Sequence, residues 1–295
     1  MKRMSSRFTR RHGIKVAVSA LAARYMPAGE PTAAPQVSDL TGSIPPRSGQ
    51  AFNGSQFAES VLNLDRHERE RAILDQLLEG NLPSFLRKLV PVKLSSGLAG
   101  GKPLNATIFV MPEYLAIGSD SDFLRIPMNL HTATAIANRF GFVLPTKKIV
   151  DAIYDQSSCH FTPQPLPAGP QMTSTEYYRV HNAMIDKQSQ ALGFPLGALV
   201  SGHKKDVVLT NRLVTRPGQI AIYGWHRATG APIQPLSTVH GAGYADYSHG
   251  IRLVAKMAMV DGKLRSVAGI LHDSRLAKIL SDEGPIRLAS AISNA

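Results

Sequence analysis

The sequence predicts an α+β fold, with a helical N-terminal half and a mostly antiparallel β-sheet in the C-terminal half. Three observations predict it. Asp65-x-x-Glu68 and Thr173-x-x-Glu176 are capping boxes, the first leading into the one-faced apolar set Ile73, Leu74, Leu77 and Leu78. From Leu196 onward the apolar residues come instead in short runs separated by polar and glycine-rich segments. Asp261-Gly262 joins two such runs as a tight-turn dipeptide.

Residues 1–25 form an export-like leader. Thr9-Arg10-Arg11-His12-Gly13-Ile14-Lys15 resembles the twin-arginine pattern, followed by an apolar stretch from Ile14 to Ala23 and small residues suited to cleavage. The resemblance implies a periplasmic or secreted protein; a plain basic N-terminus on a cytoplasmic protein is the alternative. Residues 26–55 are rich in Pro, Gly, Ser and Ala and read as a disordered linker, with order beginning near Phe57.

Residues 56–170 read as a helix-rich subdomain with a small sheet. After the helix ended by Gly80, Pro83 suits the first turn of a second, whose buried face is Phe85, Leu86, Leu89 and Val90. Strands follow at 107–111, 114–118 and 123–126, then helices at 131–140 and 147–156, the latter capped by Thr146 with Asp151, Asp155, Lys147 and Lys148 on its wet face. The Pro-rich stretch Phe161 to Pro170 marks the boundary. Residues 171–295 begin with a helix to about Leu192 and continue as strands at 196–200, 206–209, 219–223, 236–239, 251–260 and 263–270.

Composition narrows the function. The chain of 295 residues carries a net charge of +12, but seven basic residues against the single acid Glu30 in the first thirty supply half of it. The remainder forms no basic stripe and no helix-turn-helix or RNA-binding signature, so no nucleic-acid partner is favoured. No run approaches the roughly 20 apolar residues of a membrane span. The single cysteine, Cys159, excludes an internal disulfide, and nothing beside it lowers its pKa. Oligomeric state leaves no mark in the sequence.

Chemistry concentrates between Ser201 and Leu253, which hold four of the ten histidines and the only tryptophan. Gly202-His203-Lys204-Lys205-Asp206 falls between two strands, where side chains project from a sheet edge, and Asn211 with Arg212 follows at the far end of the second strand. Tyr223-Gly224-Trp225-His226 offers an apolar platform of the kind that stacks on a sugar ring. His240-Gly241 and Tyr244-x-Asp246-Tyr247-Ser248-His249-Gly250-Ile251-Arg252 supply bases, a carboxylate to orient one of them, hydroxyls and a cation. The catalytic candidates are therefore His240, His249, Asp246, His203 and Asp206. The substrate-binding candidates are Lys204, Asn211, Arg212, Tyr223, Trp225, His226, Tyr244, Tyr247, Ser248 and Arg252. His203, His226, His240 and His249 with Asp206 or Asp246 could supply a zinc ion with three ligands, yet none stands in a His-x-His or His-x-x-x-His spacing, so no metal site is assigned.

Ser248-His249-Gly250-Ile251-Arg252-Leu253, with His240-Gly241 upstream, resembles the L,D-transpeptidase signature of peptidoglycan cross-linking enzymes. In that family a nucleophilic cysteine follows the Ser-His-Gly; here Ile251 stands there and Cys159 is far upstream, so a thiolate acyl-enzyme cannot form at this motif. The resemblance implies a β-rich fold and cell-wall material as ligand. Together these features point to an exported hydrolase of an envelope or extracellular glycan, peptidoglycan or polysaccharide, working by His/Asp acid–base chemistry. The alternative is a non-catalytic carbohydrate or cell-wall binding protein using the same aromatic and cationic residues.

Overall fold

The computed structural model describes residues 40–96 and 103–287; the leader and residues 26–39 of the expected linker lie outside them. The rest of that linker is ordered, contrary to its composition. Ile44 is buried in the core, Arg87 donates to the carbonyls of Ile44 (3.0 Å) and Pro45 (2.7 Å), and Arg47 ties Asn81 (2.9 Å) to Ala51 O (2.8 Å). Two guanidinium groups thus satisfy backbone that has little apolar surface of its own to bury.

Asn53 opens α1 (Gly54–Ser60), and the Asp65–Glu68 capping box opens α2 (Arg66–Leu78), which buries Ile73 and Leu77. The helix expected after Pro83 is only a 3₁₀ turn, Ser84–Arg87. The Asp120 carboxylate takes the amides of Ser84 (2.6 Å) and Phe85 (3.3 Å), and the chain then extends as β1 (Val90–Ser95), whose alternating burial shows Val92 and Leu94 to be strand residues. After β2 (Asn105–Val110) comes the hairpin β3 (Ala116–Gly118) and β4 (Phe123–Arg125). Asn129 caps α3 (Leu130–Phe140), β5 (Phe142–Val143) follows, and Thr146 caps α4 (Lys147–Gln156) over the predicted span.

Beyond β6 (Cys159–His160) the Pro-rich stretch leads to α5 (Thr175–Leu192), capped by Ser174, one residue past the Thr173 expected. The later strands are β7 (Val200–Ser201), β8 (Lys205–Val207), β9 (Ile222–His226), β10 (Pro232–Ser237), β11 (His249–Gly250), β12 (Val254–Ala255), β13 (Met257–Val260) and β14 (Lys263–Ser266). The run predicted from Lys263 to Ile270 stops early because the Ser266 hydroxyl caps α6 (Val267–His272), which α7 (Ala277–Leu280) follows. Asp261 and Gly262 both have positive φ (45° and 78°), the conformation a two-residue hairpin between β13 and β14 demands.

Both helices and sheets build the chain, as an α+β fold requires. The six-stranded sheet runs β14-β13-β2-β12-β5 with β1 on β2, all antiparallel, so it draws strands from both sides of the Pro-rich stretch. One buried apolar cluster also extends from Ile44 to Ile286. The boundary expected at residue 170 therefore joins parts of one unit. The four-stranded sheet, β10-β9-β8-β11, carries the polar segment.

Candidate functional site

In the four-stranded sheet β8 and β11 pair in parallel, His249 opposite Lys205 and Gly250 opposite Asp206. This register lays Gly-His-Lys-Lys-Asp beside Asp-Tyr-Ser-His-Gly, two motifs more than forty residues apart in the chain. Glycine is needed at both. Gly202 has φ +95° and a Cβ there would lie 2.4 Å from Phe161 O; a Cβ on Gly250 would lie 2.6 Å from the Tyr114 ring and 2.9 Å from Lys204 Cβ.

The first cluster is built on Asp246. Its Oδ1 accepts from the Ser248 amide (2.8 Å) and hydroxyl (2.5 Å), closing a local turn, and its Oδ2 accepts from the Tyr244 hydroxyl (3.2 Å) and lies 3.9 Å from His249 Nε2. Burial opposes the Asp246 charge, but His249, Lys205 and the Ser248 bonds outweigh it and hold the carboxyl below its ordinary range. His249 is fully buried, and burial presses it down to about 4 against the pull of Asp246. At neutral pH the pair is thus carboxylate and neutral imidazole, a base beside the charge that would stabilise its protonated form. Neither ring nitrogen of His249 has a hydrogen-bond partner. Tyr244 lies edge-on to His249 (5.7 Å), and His240 stacks on Tyr244 (4.2 Å, 15°). His240, Tyr244 and Lys205, unlike the pair itself, are only half-buried.

A second cluster adjoins it through Lys204. Its ammonium is almost wholly buried, donates to Tyr247 O (2.7 Å) and lies 3.5 Å from His181 Nδ1. Burial, then the charge of Arg125, brings it down to about 7. The rings of His181, Tyr247 and Trp225 form a triangle with centroids 5.0, 6.1 and 6.3 Å apart. Trp225 has φ +56°, rare for a bulky residue, and its ring is turned inward, 4% exposed, with the Lys205 ammonium 5.2 Å from its centroid. It is therefore not the open sugar platform foreseen, because this backbone conformation directs it into the core.

The remaining candidates are held elsewhere. His203 Nε2 faces Glu113 Oε1 at 2.8 Å, and since a carboxylate only accepts, that nitrogen carries the proton. The His203 ring packs edge-on against Tyr114 and Phe161. Asp206 accepts from the Tyr114 hydroxyl (2.8 Å), and burial raises it to about 6. Arg252, expected to hold a substrate anion, is fully buried 4.3 Å from the Tyr114 ring centroid and donates to Met111 O (3.1 Å) and Val200 O (2.7 Å), a brace between strands. Tyr223 and His226 share Asp151 on α4, at 2.7 and 3.3 Å, so Asp151 is no mere wet-face charge. Asn211 and Arg212 bind Pro285 O (2.8 Å) and Leu236 O (2.6 Å), and the Asn211 amide bonds Glu283 (2.8 Å), which pins the C-terminal segment. The sequence thus brings the candidates Asp246, Ser248, His249, Tyr244, His240, Lys204, Trp225 and Tyr247 together with Lys205, which was not among them, and sends the other candidates into scaffold.

Sequence reading missed Glu113, Arg125, Asp151 and His181. Arg125 Nε meets Glu113 Oε2 (2.9 Å) and Nη1 meets Asp186 (2.6 Å), at the edge of an open depression of about 550 Å³ between α1, β4 and α5 that none of the polar segment lines. Of these residues only His181 left a signal: it falls on the buried stripe of α5 with Tyr178 and Ile185. Among the described residues no three of His, Cys, Asp and Glu meet in a way that could hold a metal ion, and no helix is long and apolar enough to cross a membrane. Comparison with protein-family models, curated proteins and solved structures gave no match, so the functional reading rests on the geometry.

Proposed function

We propose that the chain is an exported hydrolase of an envelope or extracellular glycan, peptidoglycan included, working by imidazole acid–base chemistry at Asp246–His249. One observation carries the reading: a buried neutral imidazole with both nitrogens unpartnered, 3.9 Å from an ionised carboxylate, with the half-buried Tyr244 ring edge-on to it and His240 stacked on that ring. A buried histidine kept only for packing ordinarily has its ring nitrogens bonded. In the proposed reaction the attacking water bonds to the sugar carbon and gives a proton to His249, Asp246 stabilises the imidazolium that forms, the scissile C–O bond breaks as His240 gives a proton to the leaving oxygen, and the His249 proton then passes through solvent to His240 to restore both. Lys204 and Lys205 hold the anionic groups of the substrate. The leader and the Ser248 to Leu253 resemblance support an envelope location and a cell-wall ligand.

A carbohydrate-binding protein without turnover is the second reading, favoured by the stacked and half-buried His240–Tyr244 pair, which a sugar ring can cover without reaching His249. Replacing His249 and His240 singly by Gln separates them. On a panel of peptidoglycan and polysaccharides, release of soluble fragments read by mass spectrometry is expected to fall on the order of 10²–10⁴-fold in H249Q with retention on the insoluble substrate unchanged. Wild-type protein that binds but releases nothing establishes the second reading, and protein that neither binds nor releases overturns both.

A further inference from the structure

The free edge of the four-stranded sheet, at β10, carries a cationic groove. Two open depressions of about 600 and 390 Å³ lie there, and because Arg216, Thr238 and Val239 line both, they form one continuous groove. Arg212 and Arg216 come from the turn Asn211–Val214 and the residues after it, Ser237 from the end of β10 and Thr238 from the residue that follows. Main-chain pairing holds the two sides together: Ile220 N donates to His240 O (2.9 Å), Ala242 N donates to Gly218 O (2.8 Å), and Gln219 bridges Gly241. The groove thus reaches Val239, one residue before His240, the proton donor of the proposed reaction.

Its charge is unbalanced. No Asp or Glu lines either depression, and among the described residues neither guanidinium meets a carboxylate. Arg212 gives one nitrogen to Leu236 O (2.6 Å) and is otherwise exposed; the Arg216 side chain is exposed and has no partner among the described residues. Two planar donor forks without an anion suit carboxylates, which they hold through paired N–H bonds. Polar groups between them are unused as well. The hydroxyl of the buried Thr238 makes no hydrogen bond among the described residues, and Gln219 Oε1 is buried with no partner. Val239, 70% exposed, and Pro235 add apolar surface.

Which polyanion fits follows from what lines the groove. No aromatic ring is there for a base to stack on, which disfavours a nucleic-acid strand. An added peptide strand is disfavoured too, because Pro232 and Pro235 have no amide hydrogen and the carbonyls of Pro235 and Leu236 already accept from Gln234 (2.9 Å) and Arg212. Hydroxyl and amide groups beside small apolar surface, between two guanidiniums, match the hydroxyls, C–H faces and acid groups of carboxylated sugars.

We propose that this groove binds an acidic polysaccharide, with sugar carboxylates on Arg212 and Arg216. That the ligand is a glycan rests on the proposed function; the groove names its class.

Polygalacturonate and its methyl ester share a backbone and differ in charge, so they make the test. Titration calorimetry of the full chain at about 0.15 M salt is expected to show binding of the free acid and none of the ester. R216Q should weaken that binding at least fivefold, whereas R265Q, which removes the same charge from an exposed site on β14 in the other sheet, should weaken it less than twofold. H249Q should bind as the wild type does. Equal binding of acid and ester, a loss in R216Q no greater than in R265Q, or single-stranded DNA bound as tightly as polygalacturonate would each overturn the groove. Because the readout is binding, this pattern with no fragments released leaves the groove standing while the hydrolase falls. Fragments released from glycans by a protein that binds acid and ester alike overturn the groove alone.

Discussion

Glu113, outside the polar segment, joins three parts of the chain through one carboxylate. Its carboxylate accepts from His203 Nε2 (2.8 Å), Arg125 Nε (2.9 Å) and the Tyr114 amide (2.8 Å), and it is buried. Burial opposes its charge, yet His203 and Arg125 together hold it far below the ordinary glutamate range. Arg125 remains paired with Asp186, which is 39% exposed and correspondingly weaker as a sole partner. Glu113→Gln keeps the shape and removes the charge, leaving Arg125 and His203 without their shared anion. The expected loss is about 3–5 kcal/mol of unfolding free energy, read by urea denaturation; a loss below about 1 kcal/mol would mean that the network is idle. Nothing in Met-Pro-Glu-Tyr announces this role, since a lone glutamate in a loop looks the same whether solvated or buried. Sequence reading found the residues that converge on Asp246 because they are close along the chain, and mistook His203, Asp206 and Arg252 for site groups because their partners, Glu113, Tyr114 and two carbonyls, come from elements ninety or more residues away or from the main chain itself.

At the scale of elements, periodic and capped segments were legible and short ones were not. Helix α4 and the start of α2 follow from local signals, a threonine or aspartate cap and an apolar stripe. The turn after Pro83 and the early end of β14 were misread because side chains from elsewhere (Asp120) or from the next turn (Ser266) capture the amides. The Pro-rich stretch was read as a boundary, which its composition invites; the side chains that bond its main chain, Tyr177 and Gln188 of α5 and Tyr247 of the loop before β11, leave no trace in its own sequence. Tyr247→Phe removes both bonds at Leu166 and keeps the ring. Hydrogen exchange of the Leu166 amide is expected to quicken at least tenfold while the amides of α5 stay protected, since among the described residues the main chain of 162–168 has no main-chain bonds to fall back on. Equal protection of Leu166 in both proteins would show that packing of its side chain, not the hydroxyl, retains it.

Across the whole molecule, buried bases decide how stability depends on pH. Burial depresses His249 to about 4 and His181 to about 2, the latter helped by the Lys204 charge, and it lowers His203 despite Glu113. Each imidazole binds fewer protons folded than unfolded, so its contribution is complete above the ordinary value of 6.5 and is lost as pH falls through the folded value. Lys204, lowered from 10.5 to about 7, has the same sign over a higher window: folding gains as pH rises from 7 toward 10.5. Asp206 opposes them, because burial raises it from 3.8 to about 6, and its stabilising protonation is lost as pH climbs through that value. Tyr114, raised well above 10 by burial and by Asp206, turns the curve down in strong alkali, where the unfolded chain ionises and the folded one does not. Three imidazoles outweigh the two carboxyls that burial raises, Asp206 and Glu70, and give a steep acid limb, and Lys204 extends the rise past neutrality. The urea midpoint measured in steps from pH 4 to 10 is therefore expected to climb through pH 6.5 and peak on the alkaline side. H181F should flatten the limb below 6.5 and K204M the limb above 7, each leaving the other in place. A wild-type curve that peaks near pH 6, or one whose two limbs both persist in these variants, would mean that the imidazoles and the lysine keep their ordinary protonation inside the fold.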